Sequence, residues 1–339
     1  MFLSYIMRSC RRYCYICLAI LSFLFILHKY SLTAKVVFLT HHEAVPFRRS
    51  PAEDSLFGNP PRVLCLVMTA PSNHRDRARH VAATWGLNKQ GDGQGRSFTD
   101  FQYQEFCPNT IFVTSSPHPN LKKVIYTEYK SYKEIWGKVL DAFRSVNASQ
   151  ADWVMKADDD TFIIYPRLQR LLTRFDAKKP LLLGLNLIYT FKDGKEVEYM
   201  SGGAGYLLSS PAVQMLQEAR IQECQFPGAT SYEDVNMGIC LSALGVDFGD
   251  TRDSLGRPVF LPCRPQTFFD PDNLHHPNVA WIKSMSKYPV KFGIEHMSDR
   301  VVSFHEIRNP KDVYIMHYLT HHLRILTPSE VTAFTKSRD

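Results

Sequence analysis

Short apolar runs alternate along this chain with stretches whose apolar residues recur three and four apart. Val63-Leu64-Cys65-Leu66-Val67-Met68 is a continuous apolar run that predicts a buried strand, and His74 to Trp85 follows with helical spacing. Ile111-Phe112-Val113 and Val124-Ile125-Tyr126 predict two further strands, and Tyr132 to Val146 places Ile135, Trp136, Val139, Leu140 and Phe143 at helical intervals. Trp153-Val154-Met155 returns as strand and ends in Asp158-Asp159-Asp160. Leu168, Leu171, Leu172 and Phe175 mark one face of another helix, and Leu181-Leu182-Leu183 is strand again. A later helix runs through Val235, Ile239, Leu241 and Leu244, and Val301 to His305 is strand-like. Such alternation predicts an α/β layer around a mainly parallel sheet. There is no internal repeat. Gly91 to Ser97 reads as a surface loop, because it lacks the Gly-Lys-Ser/Thr ending of a phosphate loop.

The N-terminus follows a different pattern. No residue from Tyr13 to Leu27 is charged, and Arg8, Arg11 and Arg12 precede that run. Fifteen residues rising about 1.5 Å each span roughly 22 Å, which suits a thin membrane. A cleaved signal peptide is the competing reading, with Ala34 as a small residue near its end. Basic residues before one uninterrupted apolar segment favour a signal anchor with the body outside the cytoplasm. The chain then divides into a cytoplasmic tail (1–12), a transmembrane helix (13–28), a Pro-punctuated stem (29–61), a folded body (62–326) and a C-terminal tail (327–339).

Composition adds modest constraints. The 339 residues carry 40 Lys+Arg against 33 Asp+Glu, with 45% hydrophobic residues, and this excludes a disordered, collagen-like or multi-spanning protein. Seven basic residues and one acid lie in residues 1–50, so the body is nearly neutral and offers no electrostatic footprint for nucleic acid. Cys65, Cys107, Cys224, Cys240 and Cys263 fall in the body without zinc spacing, so disulfides are expected there, with one cysteine left over. Asn147-Ala148-Ser149 is the acceptable N-glycosylation sequon.

Three places could carry chemistry. Asp158, Asp159 and Asp160 end a buried strand, at the edge where open α/β sheets bind ligands. Their mutual repulsion is best offset by a divalent cation such as Mn²⁺ or Mg²⁺; the plainer reading makes one of them a helix cap. Ser231-Tyr232-Glu233-Asp234 opens a helix. Ser231 as N-cap with Asp234 at the third helical position makes a capping box, while Asp234 as a general base is the sharper reading, and both stand. His305 by itself reads as a hydrogen-bonded structural residue, and His317 and His321 as helix-surface histidines. The glycine run of Tyr199 to Tyr206 permits close backbone approach to a sugar or to another strand.

Taken together, Cys65 to Thr69, His80 to Trp85, Lys156 to Thr161, Tyr199 to Leu208, Glu233-Asp234, Gly249 to Asp253 and Val302 to His305 resemble glycosyltransferase family 31, and more narrowly its core 1 β1,3-galactosyltransferases. The resemblance covers roughly residues 62–326. It implies a GT-A fold in a Golgi, single-pass type II membrane enzyme, expected as a homodimer, that moves galactose from UDP-galactose with inversion to the 3-hydroxyl of GalNAc on Ser or Thr of glycoproteins. Carried over by position, it implies Asp160 and His305 as Mn²⁺ ligands (Mg²⁺ also suits), Asp234 as general base, and Asp158, Asp159, Thr69, Trp85 and Lys138 around the donor. Gly203, Trp281 and Tyr288 fall in segments expected to meet the acceptor. It also suggests the pairs Cys65–Cys107 and Cys224–Cys240, with Cys263 free. The chain departs from the family in lacking an adjacent Cys pair near Lys291 to His296, and in an aromatic acceptor segment reduced to Trp281 and Tyr288. Another sugar pair, as in fringe-like enzymes, and a non-catalytic chaperone-type paralogue are the competing implications.

Overall fold

Val63–Met68 (β1) is buried along its whole length because both faces of the strand are covered. Val63, Cys65 and Val67 pack into one apolar cluster and Leu64, Leu66 and Met68 into another, as expected of a strand in a parallel sheet sandwiched between layers. The computed structural model describes residues 60–87, 106–219, 224, 230–269 and 276–323. The expected tail, membrane span and most of the stem, the loop at 91–97 and the C-terminal tail lie outside the described residues. Among the described residues no helix is long and apolar enough to cross a membrane.

After β1 the chain passes through α1 (Arg79–Ala82), β2 (Asn109–Thr114), β3 (Val124–Tyr126), α2 (Ile135–Ser145), β4 (Trp153–Asp158), β5 (Phe162–Ile163) and α3 (Tyr165–Leu172). It continues through β6 (Leu181–Gly184), the hairpin β7 (Asn186–Thr190) and β8 (Glu196–Met200), β9 (Tyr206–Ser209), α4 (Ser210–Glu218), α5 (Glu233–Ala243) and β10 (Asp247–Asp250). Then come β11 (Phe260–Leu261), α6 (Pro265–Phe269), α7 (Pro277–Met285), β12 (Ser303–Phe304) and α8 (Pro310–His317).

The main sheet has the order β10-β6-β9-β4-β1-β2-β3. Strands β3, β2, β1 and β4 run parallel, but β9 is antiparallel to both β4 and β6. The sheet is therefore mainly parallel, as expected, and mixed through β9, the one strand of the seven that runs against its neighbours. The cause is local: the hairpin returns the chain to the carboxyl edge, and the turn at 202–205, with Gly205 at φ 83°, sends β9 back down beside β4. The mixed α/β architecture is consistent with a GT-A fold. A small second sheet, β11-β12-β5, stands against this edge and pairs Phe304 with Phe162.

The helix expected over His74 to Trp85 is broken. His74–Ala78 winds as a π turn, and only Arg79–Ala82 is α-helical. The chain then bends inward: the Cys107 amide donates to the Trp85 carbonyl at 2.8 Å, and Gly86 donates back to Val81 at 3.0 Å. A Cβ at Gly86 would meet Val81 Cγ1 at 2.8 Å, so the close turn requires glycine.

Disulfides join Cys65 to Cys107 and Cys224 to Cys240, and Cys263 is a buried free thiol. The first ties β1 to the entry of β2 across 42 residues of chain. Replacing Cys107 by Ser should lower the unfolding free energy by about 4 kcal/mol from loop-closure entropy, read as an earlier midpoint in urea titration.

Candidate active site

β4 carries one charged residue inside an otherwise apolar strand. Lys156 is 2% exposed. Its Nζ lies 2.8 Å from Asp158 Oδ1 and 3.4 Å from Glu233 Oε2, and it donates to the Gly202 carbonyl at 3.1 Å. Burial disfavours the ammonium, but the Asp158 and Glu233 carboxylates outweigh it and hold Lys156 above its usual pKa. Burial lifts Glu233 to about 7 against the pull of Lys156, and the Tyr206 hydroxyl donates to it at 2.5 Å. Glu233 is thus a buried structural anchor, and the adjacent Asp234 is the more open of the two acids.

The other two carboxylates of the triplet turn to different partners. Thr69 Oγ1 donates to Asp159 at 2.7 Å, and the Arg77 guanidinium reaches Asp159 at 3.4 Å and Asp160 at 3.3 Å. Burial raises Asp159 to about 6. Asp160 meets Arg308 Nε at 3.0 Å and His305 Nε2 at 3.1 Å. Burial opposes its charge, yet the hydrogen bonds from His305 and Arg308 hold it well below the ordinary carboxylate range. None of the three caps a helix, since α3 begins after Ile164 without a side-chain cap.

His305 arrives from the second sheet. Its Nδ1 lies 3.2 Å from the Pro262 carbonyl, which orients the ring and turns Nε2 toward the acids. One ligand atom from each of Asp158, Asp160 and His305 falls within 4.8 Å of the others. Two carboxylates and an oriented imidazole make a donor set that fits a hard or borderline divalent cation, Mn²⁺ or Mg²⁺. Burial disfavours the imidazolium, but the Asp160 carboxylate prevails and raises the His305 pKa.

The turn after β8 joins this cluster to Asp234. Each of three successive carbonyls takes a donor from a different element: Gly202 from Lys156 at 3.1 Å, Gly203 from Thr161 at 2.9 Å and Ala204 from Ser303 at 2.6 Å. The Gly202 amide donates to Asp234 Oδ2 at 2.9 Å, and Val235 donates to Oδ1 at 3.0 Å. Burial raises the Asp234 pKa while the Gly202 amide holds it down. A Cβ at Gly203 would collide with the His305 ring, so the close approach this glycine permits is to the imidazole. The capping box is not formed: Tyr232, not Ser231, is the N-cap and makes no side-chain cap. Asn236 closes the helix start instead, accepting from the Thr230 amide at 3.0 Å and donating to its carbonyl at 2.8 Å.

Lys138 is buried beside the triplet and donates to the Thr69 carbonyl, and burial lowers its pKa. Trp85 is fully buried in the core, so it braces the fold and presents no face to a donor. Trp281 stands exposed on α7, and Tyr288 lies beneath the Arg252 guanidinium at 3.5 Å; no contact of the described residues ties either to Asp234. Asn147 is exposed and accepts from Ser149 at 3.1 Å. Lys156, Arg77 and Arg308 were not singled out from the sequence. Only Lys156 left a signal there, as a charge inside a buried strand.

The profile of the Fringe-like family matches residues 59–256. The chain belongs to that family, within glycosyltransferase family 31, and is a glycosyltransferase. It is 30% identical over 274 residues to the glycoprotein-N-acetylgalactosamine 3-beta-galactosyltransferase 1 of Xenopus laevis, covering 78% of this chain and 67% of that protein. To the beta-1,3-glucosyltransferases of Homo sapiens and Mus musculus it is 25% and 28% identical, over 74% and 68% of this chain. The chain spans less than half of each of those two, 44% and 42%.

In this Fringe-like enzyme Lys156→Met should destabilise by about 3–5 kcal/mol, because it leaves buried acids unpaired. Adding Glu233→Gln should restore part of that loss in urea unfolding, since it removes one of the stranded charges.

Proposed function

We propose that this protein transfers galactose from UDP-galactose, with inversion, to the 3-hydroxyl of GalNAc on Ser or Thr of glycoproteins. The observation that carries the reading is the pair of adjacent glycines: Gly202 holds Asp234 by its amide, while Gly203 makes room for His305. An acid fit for base work thus stands beside a donor set fit for a cation. The 30% identity to a galactosyltransferase acting on N-acetylgalactosamine supports the choice of sugars.

In this scheme Asp158, Asp160 and His305 hold Mn²⁺ or Mg²⁺, which when bound supplies charge neutralisation for the leaving diphosphate. Asp159, Thr69 and Lys138 line the same sheet edge and position the nucleotide. Asp234 accepts the proton of the acceptor hydroxyl while that oxygen bonds to the anomeric carbon from the face opposite the departing UDP. The two amides on Asp234 fix its carboxylate for that step. A single displacement inverts the anomeric centre and needs no covalent intermediate. We place the enzyme in the Golgi membrane as a single-pass type II protein and a homodimer.

The resemblance to beta-1,3-glucosyltransferases makes glucose the competing sugar. Transfer assays with UDP-galactose, UDP-glucose and UDP-GlcNAc on a GalNAc-Thr peptide, with Mn²⁺ and with chelator, decide between them. Chelator-sensitive β1,3-galactosyl product is expected; product from UDP-glucose alone would overturn the galactose assignment.

Asp234→Asn should reduce kcat about a hundredfold to ten-thousandfold while leaving metal-dependent UDP binding intact. Turnover needs the ionised carboxylate and burial raises its pKa, so activity should fall with decreasing pH above the ordinary aspartate range. A pH–rate profile whose acid limb lies at an unshifted aspartate value would remove Asp234 from the base role. His305→Ala should raise the Mn²⁺ concentration required for half-maximal activity by about tenfold.

A further inference from the structure

Beside Asp234 lies a group of aromatic rings that the chemistry above leaves unused. Tyr232 sits two residues before Asp234, at the N-cap of α5, and is 53% exposed. Its ring centroid is 5.9 Å from that of Tyr189 on β7, and Tyr189 meets Phe191 edge to face at 4.9 Å. The register of the hairpin accounts for the grouping. Tyr189 pairs with Val197 and Leu187 with Tyr199, so Leu187, Tyr189, Val197 and Tyr199 share one face. That face looks onto α5, where a Cβ at Gly238 would meet Tyr199 Cβ at 2.7 Å. Tyr199 itself is buried, and after burial the charge of Asp234 and then the phenols of Tyr189 and Tyr232 raise its pKa, as groups gathered around one point do.

A pyranose has an apolar C–H face and a rim of hydroxyls. A ring surface next to a carboxylate satisfies both at once: the face stacks on the aromatics and the rim turns to the base. These rings carry no positive charge to pair with a diphosphate, whose charge is matched at the Asp158, Asp160 and His305 cluster if a cation is bound there. We propose that Tyr189, Phe191 and Tyr232 form the acceptor shelf, stacking the acceptor pyranose so that its reactive hydroxyl faces Asp234. The proposal rests on the transferase reading of the site, and it moves the acceptor from Trp281 and Tyr288 to the hairpin. Tyr232 is the specificity-determining residue, being the most open of the three.

The test uses the full-length protein with UDP-galactose, Mn²⁺ and a GalNAc-Thr peptide. Tyr232→Ala should raise the acceptor KM about fivefold to tenfold and leave the donor KM unchanged, whereas Tyr232→Phe, which keeps the ring, should retain the wild-type acceptor KM. An unchanged acceptor KM in Tyr232→Ala, or an equal rise in both constants, overturns the shelf. Saturation-transfer NMR with UDP and Mn²⁺, on the methyl glycosides of α-GalNAc, α-fucose and β-glucose, separates this from the choice of sugar. If the wild type binds fucose or glucose in place of GalNAc and Tyr232→Ala abolishes that signal, the shelf stands and the GalNAc reading falls. Signal of equal strength in wild type and Tyr232→Ala, or none from any glycoside with wild type, overturns the shelf as a sugar site.

Discussion

The buried Lys156 ammonium is the interaction on which the rest of this edge depends. Three consecutive carboxylates at a strand end, with two more acids opening α5, would repel one another strongly in a low-dielectric setting. Lys156 reaches Asp158, Glu233 and the Gly202 carbonyl together, so one charge from the interior of β4 holds the Asp triplet, the start of α5 and the glycine turn in a single arrangement. Arg77 and Arg308 complete the neutralisation from the outer side, on Asp159 and Asp160. The cost of burying the lysine is offset by a close ion pair with the half-buried Asp158, a second with the buried Glu233 and a hydrogen bond to the Gly202 carbonyl.

The glycine turn makes this arrangement rigid. Its three clamped carbonyls draw on β4, on the loop after it and on β12, so the main sheet and the small sheet are fastened at one point. A buried carbonyl without a donor is expensive, and here the requirement to satisfy each one also fixes where His305 and Asp234 stand. In the proposed reaction the base and the cation ligands must keep a constant separation while the hydroxyl is attacked and UDP departs. A turn fastened on three sides supplies that constancy better than a free loop would.

Several parts of this site were legible residue by residue. The Asp triplet could be read because an apolar strand that ends in three acids is improbable without a use for them. The ambiguity at Ser231 to Asp234 was genuine, since acids at a helix start serve the helix dipole and chemistry equally well. Tertiary contacts exclude the capping box: Glu233 is taken by Lys156 and Tyr206, Tyr232 replaces Ser231 as N-cap, and Asp234 accepts from the glycine turn. Trp85 misled for the opposite reason. A tryptophan within a family motif suggested a ligand, but its side chain serves the core.

The sequence by itself determined the α/β alternation, the strand whose end carries the carboxylates and the cysteine excess that left one thiol unpaired. These are local properties, set by the period of apolar positions and by residue identity. Only the tertiary structure decided that β9 enters antiparallel beside β4, that Arg77 and Arg308 converge on the triplet, that His305 comes to lie over Gly203, and that Tyr189 meets Tyr232. Each of these joins segments tens to more than a hundred residues apart, and pairings at that distance depend on which surfaces bury one another, which no local period encodes.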